Sequence, residues 1–147
     1  MIVNRIDLRI LHYLQWNPTV MIDYTGPRRE RLLEMFAAID AKDARAFSEY
    51  LTGTAEFRFG SAPIVKGREQ IRQAVEGFFG TIAAVRHEVE LFVGDADRVL
   101  CEGQVTYTRH DGSSITLPFA DSFVISANGI DSYRIYIDIA PLYAPAA

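Results

Sequence analysis

At 147 residues, 49% of them hydrophobic, the chain suits one domain with a sizeable core and not a disordered segment. A formal charge of −4 and a pI near 5.3 provide no general attraction to phosphate backbones or anionic lipid, so neither nucleic acid nor a membrane surface is expected as a partner. A lone cysteine, Cys101, excludes an intrachain disulfide and suits a reducing cytoplasm, and no apolar run approaches the roughly 20 residues that span a bilayer.

Residues 2–16, "IVNRIDLRILHYLQW", carry Ile6, Ile10 and Leu14 at helical spacing, with Asn17-Pro18 as a stop. They lack the continuous apolar core and small-residue cleavage site of a signal peptide. The expectation is an amphipathic arm over residues 1–26 followed by a domain over 27–147, with Met21 as an alternative natural start. The words "RIDLRILHYLQ" resemble the opening helix of leucine-responsive bacterial regulators, yet the further helices that would read a major groove have no counterpart here.

Pro27 suits a first helical position, and Leu32, Met35, Phe36 and Ile39 make an apolar stripe, predicting a helix over about 28–41. Arg28, Arg29 and Arg31, interrupted by Glu30, read as its solvated face. Asp43 caps a second helix in which Ala44, Phe47 and Leu51 share a side, ended by Gly53. "AEFRF" alternates as a strand, Gly60 to Gly67 form a loop, and Ile71, Ala74, Val75 and Phe78 mark a third helix up to about Gly80. Four strands follow, "VRHEVELFV", "RVLCEGQVTYTR", "SITLPFADSFVIS" and "IDSYRIYIDI", separated by the turn pairs Gly94-Asp95, Asp111-Gly112 and Asn128-Gly129. Helices before strands predict an α+β architecture.

This order resembles the nuclear transport factor 2-like superfamily, and within it the SnoaL-like group of polyketide cyclases, ketosteroid isomerases and limonene epoxide hydrolases. The resemblance spans about residues 28 to 143 and rests on "RLLEMFAAIDAKDARAFSEYL", "VKGREQIRQAVEGFF", "DADRVLCEGQVTY" and "ISANGIDSYRIYIDI". It implies a cone-shaped α+β barrel, in which three helices pack on a strongly curved, mostly antiparallel sheet around a pocket, and a homodimer through the sheet.

The family's mechanisms transfer unevenly. Ketosteroid isomerases would have a carboxylate where this chain has Phe59 and a tyrosine at Met35; their second aspartate, in P-x-x-D-x-F context, matches Asp121. The epoxide hydrolase pattern E-R-x-D meets Glu102-Gly103-Gln104-Val105, which lacks its arginine and aspartate, whereas R-x-Y-x-D fits Arg134, Tyr136 and Asp138. Dehydratases of the family carry a histidine at the start of the strand after the third helix, where His87 stands. Orienting the last strand by these matches turns Arg134, Tyr136 and Asp138 inward with Phe57, Phe59, Cys101, Gly103, Val105, Tyr107, Asp121 and Phe123. It leaves Tyr133, Ile135, Ile137 and Ile139 outside, to be covered by a second subunit.

On that geometry Asp138 is the leading acid or base, with a structural Arg134-Asp138 pair as the alternative. Arg134 and Tyr136 would stabilise an oxyanion. His87, a residue type able to exchange protons at neutral pH, either assists or is a strand-end hydrogen-bonding group. Asp121 either donates as a neutral acid or caps the local backbone. Phe57, Phe59, Cys101, Val105, Tyr107 and Phe123 would contact ligand, Cys101 having no base to activate it. No metal or cofactor is expected: His12, His87 and His110 lack ligand spacing, Asp95-Ala96-Asp97 lacks the rest of a calcium loop, and no glycine-rich stretch has a phosphate loop's context. The expected activity is cofactor-free isomerisation, cyclisation or dehydration of a small, apolar, oxygenated molecule. The alternatives are a ligand-binding or protein-interaction module without catalysis, and an epoxide hydrolase-like reaction with an incomplete acid/base set.

Overall fold

A computed structural model describes residues 26–145; the expected N-terminal arm, apart from Gly26, lies outside the described residues. Helix α1, Pro27–Asp40, starts on the proline whose ring presets φ, and buries Leu32, Met35 and Phe36. Its end is turned by Lys42, which adopts φ 56°, a left-handed conformation costing a non-glycine residue roughly 1–2 kcal/mol. The Lys42 Nζ then donates to the carbonyl of Ile82 at 2.8 Å and fastens this corner to the link that leads into the strand beginning at Ala84.

The Asp43 carboxylate accepts the Ala46 amide at 2.9 Å and caps α2, Ala44–Ser48. This helix is shorter than its apolar spacing predicts. Leu51 and Gly53 belong instead to strand β1, Leu51–Phe59, where the β-branched Thr52 and Thr54 favour extended backbone. The expected loop 60–67 also contains a short strand, β2, Val65–Lys66, paired antiparallel to Phe57 and Glu56. Helix α3, Arg68–Gly80, buries Ile71, Val75 and Phe79.

The remaining strands are β3, Ala84–Gly94, β4, Arg98–Thr108, β5, Ser114–Ser126, and β6, Gly129–Tyr136. The sheet order is β2-β1-β6-β5-β4-β3, so among the described residues β2 and β3 are open edges and the sheet is curved but unclosed. Pairing is antiparallel except between β1 and β6. A register shift at Val89/Leu91 lies against Gly103, where a Cβ would collide with the Glu88 carbonyl; glycine permits the close approach and the bend. Strand β6 stops three residues short of the predicted end at Ile139, and a last short helix, α4, Ala140–Tyr143, follows. Arg109 holds it by donating to the carbonyls of Leu142 and Pro141 at 2.8 and 3.0 Å.

The inner sheet face carries Phe57, Val99, Cys101, Gly103, Val105, Tyr107, Leu117, Phe119, Asp121 and Phe123, all buried. Strand β6 departs from expectation. Tyr133 stands opposite both Phe57 and Phe123, and Ile135 opposite Asp121, so the odd residues of β6 share the inner face. Arg134, Tyr136 and Asp138 are exposed on the other. The predicted orientation is off by one residue, which in a period-two strand reverses every side chain. The physical reason is burial. Tyr133, 1% exposed, stacks on Phe123 with ring centroids 4.5 Å apart, whereas burying the charges of Arg134 and Asp138 would forfeit their hydration. The row Tyr133, Ile135, Ile137 and Ile139 is accordingly covered by this chain's own core. Among the described residues no helix is long and apolar enough to cross a membrane.

Candidate active site

Between the helices and the concave sheet face lies a cavity of about 40 Å³. Its wall is largely phenyl and aliphatic, from Ile39 of α1, Phe47 of α2, Val75, Phe78 and Phe79 of α3, and the inward residues of β1 and β3–β6. Four polar side chains reach it: His87, Tyr107, Asp121 and Tyr133. A volume of this size admits a water or two, well short of the several hundred Å³ of a typical small-molecule site.

His87 is fixed from two directions. Its backbone N–H donates to both carboxylate oxygens of Asp40 at 3.1 and 3.0 Å, and its ring Nδ1–H donates to Asp40 Oδ1 at 2.6 Å. A carboxylate only accepts, which sets the tautomer and leaves Nε2 as the nitrogen able to act on a molecule in the cavity. The ring is 11% exposed and rests between Phe36 and Phe119, at centroid distances of 5.0 and 5.3 Å. Asp40 ends α1, where a carboxylate opposes the helix dipole. A local cost of that kind is the one mark in the sequence that singles it out, and periodicity and motif matching both pass over it.

Asp121 projects from the middle of β5 and is 1% exposed. Its Oδ2 accepts the Tyr133 hydroxyl at 2.9 Å, while Oδ1 has no partner among the described residues. Burial pushes its carboxyl up to about 8, against the opposing pull of the Tyr133 hydrogen bond. At neutral pH Asp121 is therefore mostly the uncharged acid, with a proton to donate. Burial likewise raises the Tyr107 and Tyr133 hydroxyls above the usual phenol range, so both remain protonated.

Other expected site residues lie elsewhere. Arg134 and Tyr136 project from the outer face of β6, Tyr136 being 58% exposed. Asp138 accepts the Ala140 amide at 3.1 Å and shapes the turn into α4. The cavity is thus not lined by the R-x-Y-x-D residues that carried the epoxide hydrolase comparison. Phe57, Phe59, Val105 and Tyr107 line the cavity, whereas Cys101 and Phe123 are packed in the core beside it. Burial raises the Cys101 thiol well above its usual range, which keeps it inert. Among the described residues no group of three or more His, Cys, Asp or Glu side chains is arranged to hold a metal.

A family profile described as a SnoaL-like domain matches residues 32–132. The fold is similar to that of TerC co-crystallised with polyporic acid, at 18% identity over 80% of this chain and 96% of that one, with a TM-score of 0.70. It is also similar to a putative SnoaL-like polyketide cyclase from Jannaschia sp. CCS1, at 18% identity over 82% and 94%, TM-score 0.71. A third similar structure is SalBIII, an epoxide hydrolase/cyclase-like enzyme with a role in pyran ring formation in polyether salinomycin, at 18% identity over 81% and 96%, TM-score 0.69. At such identities the likeness is one of fold. No curated protein matches the sequence significantly.

Proposed function

The chain belongs to the SnoaL-like family of the nuclear transport factor 2-like superfamily, and on that footing we propose that it is a proton-transfer enzyme acting on a small, largely apolar molecule with an enolisable carbonyl. The reaction class is isomerisation, cyclisation or dehydration. What supports the reading is one observation: an aspartate-anchored histidine and a buried aspartate side chain, with one oxygen lacking a partner among the described residues, open onto the same cavity.

His87 Nε2 removes a proton from the carbon beside the substrate carbonyl, and the Asp40 carboxylate steadies the imidazolium that results. Charge passes to the carbonyl oxygen, where the Asp121 carboxyl donates a hydrogen bond in water-poor surroundings. His87 then returns the proton to another carbon in an isomerisation, or to a departing hydroxyl in a dehydration. The role first assigned to Asp138 thus passes to His87, and that of Arg134 and Tyr136 to Asp121.

The test uses 2-tetralone, an apolar ketone with acidic protons beside its carbonyl, in deuterated water. The wild-type protein should speed exchange of those protons, read by NMR, and His87→Gln should lower the rate by about 10²–10⁴-fold while the melting temperature holds. Undiminished exchange in that variant would remove His87 from the mechanism. Binding of 2-tetralone with no acceleration by the wild type would instead favour a non-catalytic binding module.

A further inference from the structure

A cavity of about 40 Å³ cannot contain even a bicyclic ketone, so any ligand of the inner chamber must find more room. A second pocket, of about 150 Å³, lies between β1, the segment after it and α3. All of its lining residues are apolar, and Phe57, Phe59, Val75 and Phe78 line both spaces. Within this shared wall Phe59 and Phe78 are paired, with ring centroids 5.1 Å apart, and both are half-buried, unlike the sealed Phe57 and Val75.

Phe78 sits in the last turn of α3, in the sequence Gly77-Phe78-Phe79-Gly80. Glycine weakens a helix relative to alanine. Neither glycine is needed for packing, because a Cβ at Gly77 or Gly80 would meet no other described residue within 4 Å. The turn carrying Phe78 therefore has a lower intrinsic helix propensity than an alanine-bearing turn would, and its end is held by Thr81, whose backbone N–H and hydroxyl both donate to the Phe78 carbonyl.

We propose that the two spaces are one ligand site, divided in the present state by the Phe59–Phe78 pair, and that its occupant is an elongated apolar molecule with an oxygen function at one end. Resting on the reading of His87 and Asp121 as the working groups, this assigns the oxygen end to the inner chamber. The hydrocarbon body fills the outer pocket once Phe78 swings aside with its helical turn. Phe78 and Phe59 then set the length of molecule admitted.

The probe is 2-naphthol, a planar two-ring molecule with one hydroxyl, whose binding is followed by stopped-flow fluorescence. Phe78→Ala should accelerate association by about tenfold, and the double variant Gly77→Ala/Gly80→Ala, which firms the turn, should slow it by about tenfold. Phe78→Leu serves the same purpose if the alanine variant melts early. A crystal structure of the wild type with 2-naphthol should show Phe78 displaced and the rings crossing the former wall. Equal association rates in all variants, a bound naphthol with Phe59 and Phe78 unmoved, or no binding to either wild type or Phe78→Ala would each overturn the proposal. None of these measurements depends on turnover, so the divided site and the proton-transfer reading can fail separately.

Discussion

Tyr133 donates its hydroxyl hydrogen to Oδ2 of Asp121 across 2.9 Å, and each side chain is only 1% exposed. The pair joins β6 to β5 on the inner face and leaves Oδ1 of Asp121 as a buried atom without a partner among the described residues, beside the cavity. Such an atom costs roughly 1–3 kcal/mol, a penalty that a ligand oxygen or a bound water can offset.

Asp121 makes stability depend on pH in a definite direction. Its carboxyl, ordinarily near 3.8, is pushed up to about 8, so between these values the folded chain keeps a proton that the unfolded chain has released. Stability from this group is fully present below about pH 4, falls as pH rises, and levels off above about 8. Asp121→Asn should remove that slope, so that thermal melts from pH 4 to 9 show the variant gaining on the wild type as pH rises.

Tyr133→Phe keeps the stack on Phe123 but strips Asp121 Oδ2 of its donor. The loss should be about 1–3 kcal/mol in urea unfolding at pH 6. With the lowering influence of the hydroxyl gone, the Asp121 carboxyl should titrate still higher. The alkaline limb of ketone exchange would shift upward with it; an unmoved limb would show that Asp121 does not govern it.

Asp40→Asn retains an oxygen for the His87 backbone amide but no longer balances an imidazolium. The expected outcome is a fall in 2-tetralone exchange of about tenfold to a thousandfold, with a change in melting temperature of only a few degrees. Equal losses of rate and stability would mark Asp40 as a structural anchor alone.

Arg134→Ala, Tyr136→Phe and Asp138→Asn alter groups outside the cavity. Each should leave exchange within about twofold of wild type and stability within roughly 0.5 kcal/mol. A large rate loss in any of them would restore the inward reading of that segment.

The helices, turn pairs and strand alternation were legible because periodicity and turn chemistry act locally, whereas the inward rows of β1, β4 and β5 followed from the family resemblance. Asp121 was legible too, as a carboxyl in an otherwise apolar strand. Strand β6 shows where a motif match outweighs a simpler signal: Tyr133, Ile135, Ile137 and Ile139 alternate as a plain core row, yet fitting Arg134-x-Tyr136-x-Asp138 to a known pattern turned it outward. Asp40 escaped notice because its partner lies 47 positions away, and the short α2 because Leu51 continues a helical spacing that the neighbouring threonines break.

The parallel pairing of β1 with β6 bears on how the chain is assembled during synthesis. Strands β3, β4 and β5 form a meander of near neighbours, but the β1–β2 hairpin joins them in the sheet through β6 alone. The first and last strands of the main sheet therefore cannot meet until every strand between them in the sequence has been made, a long-range closure of the kind that slows folding.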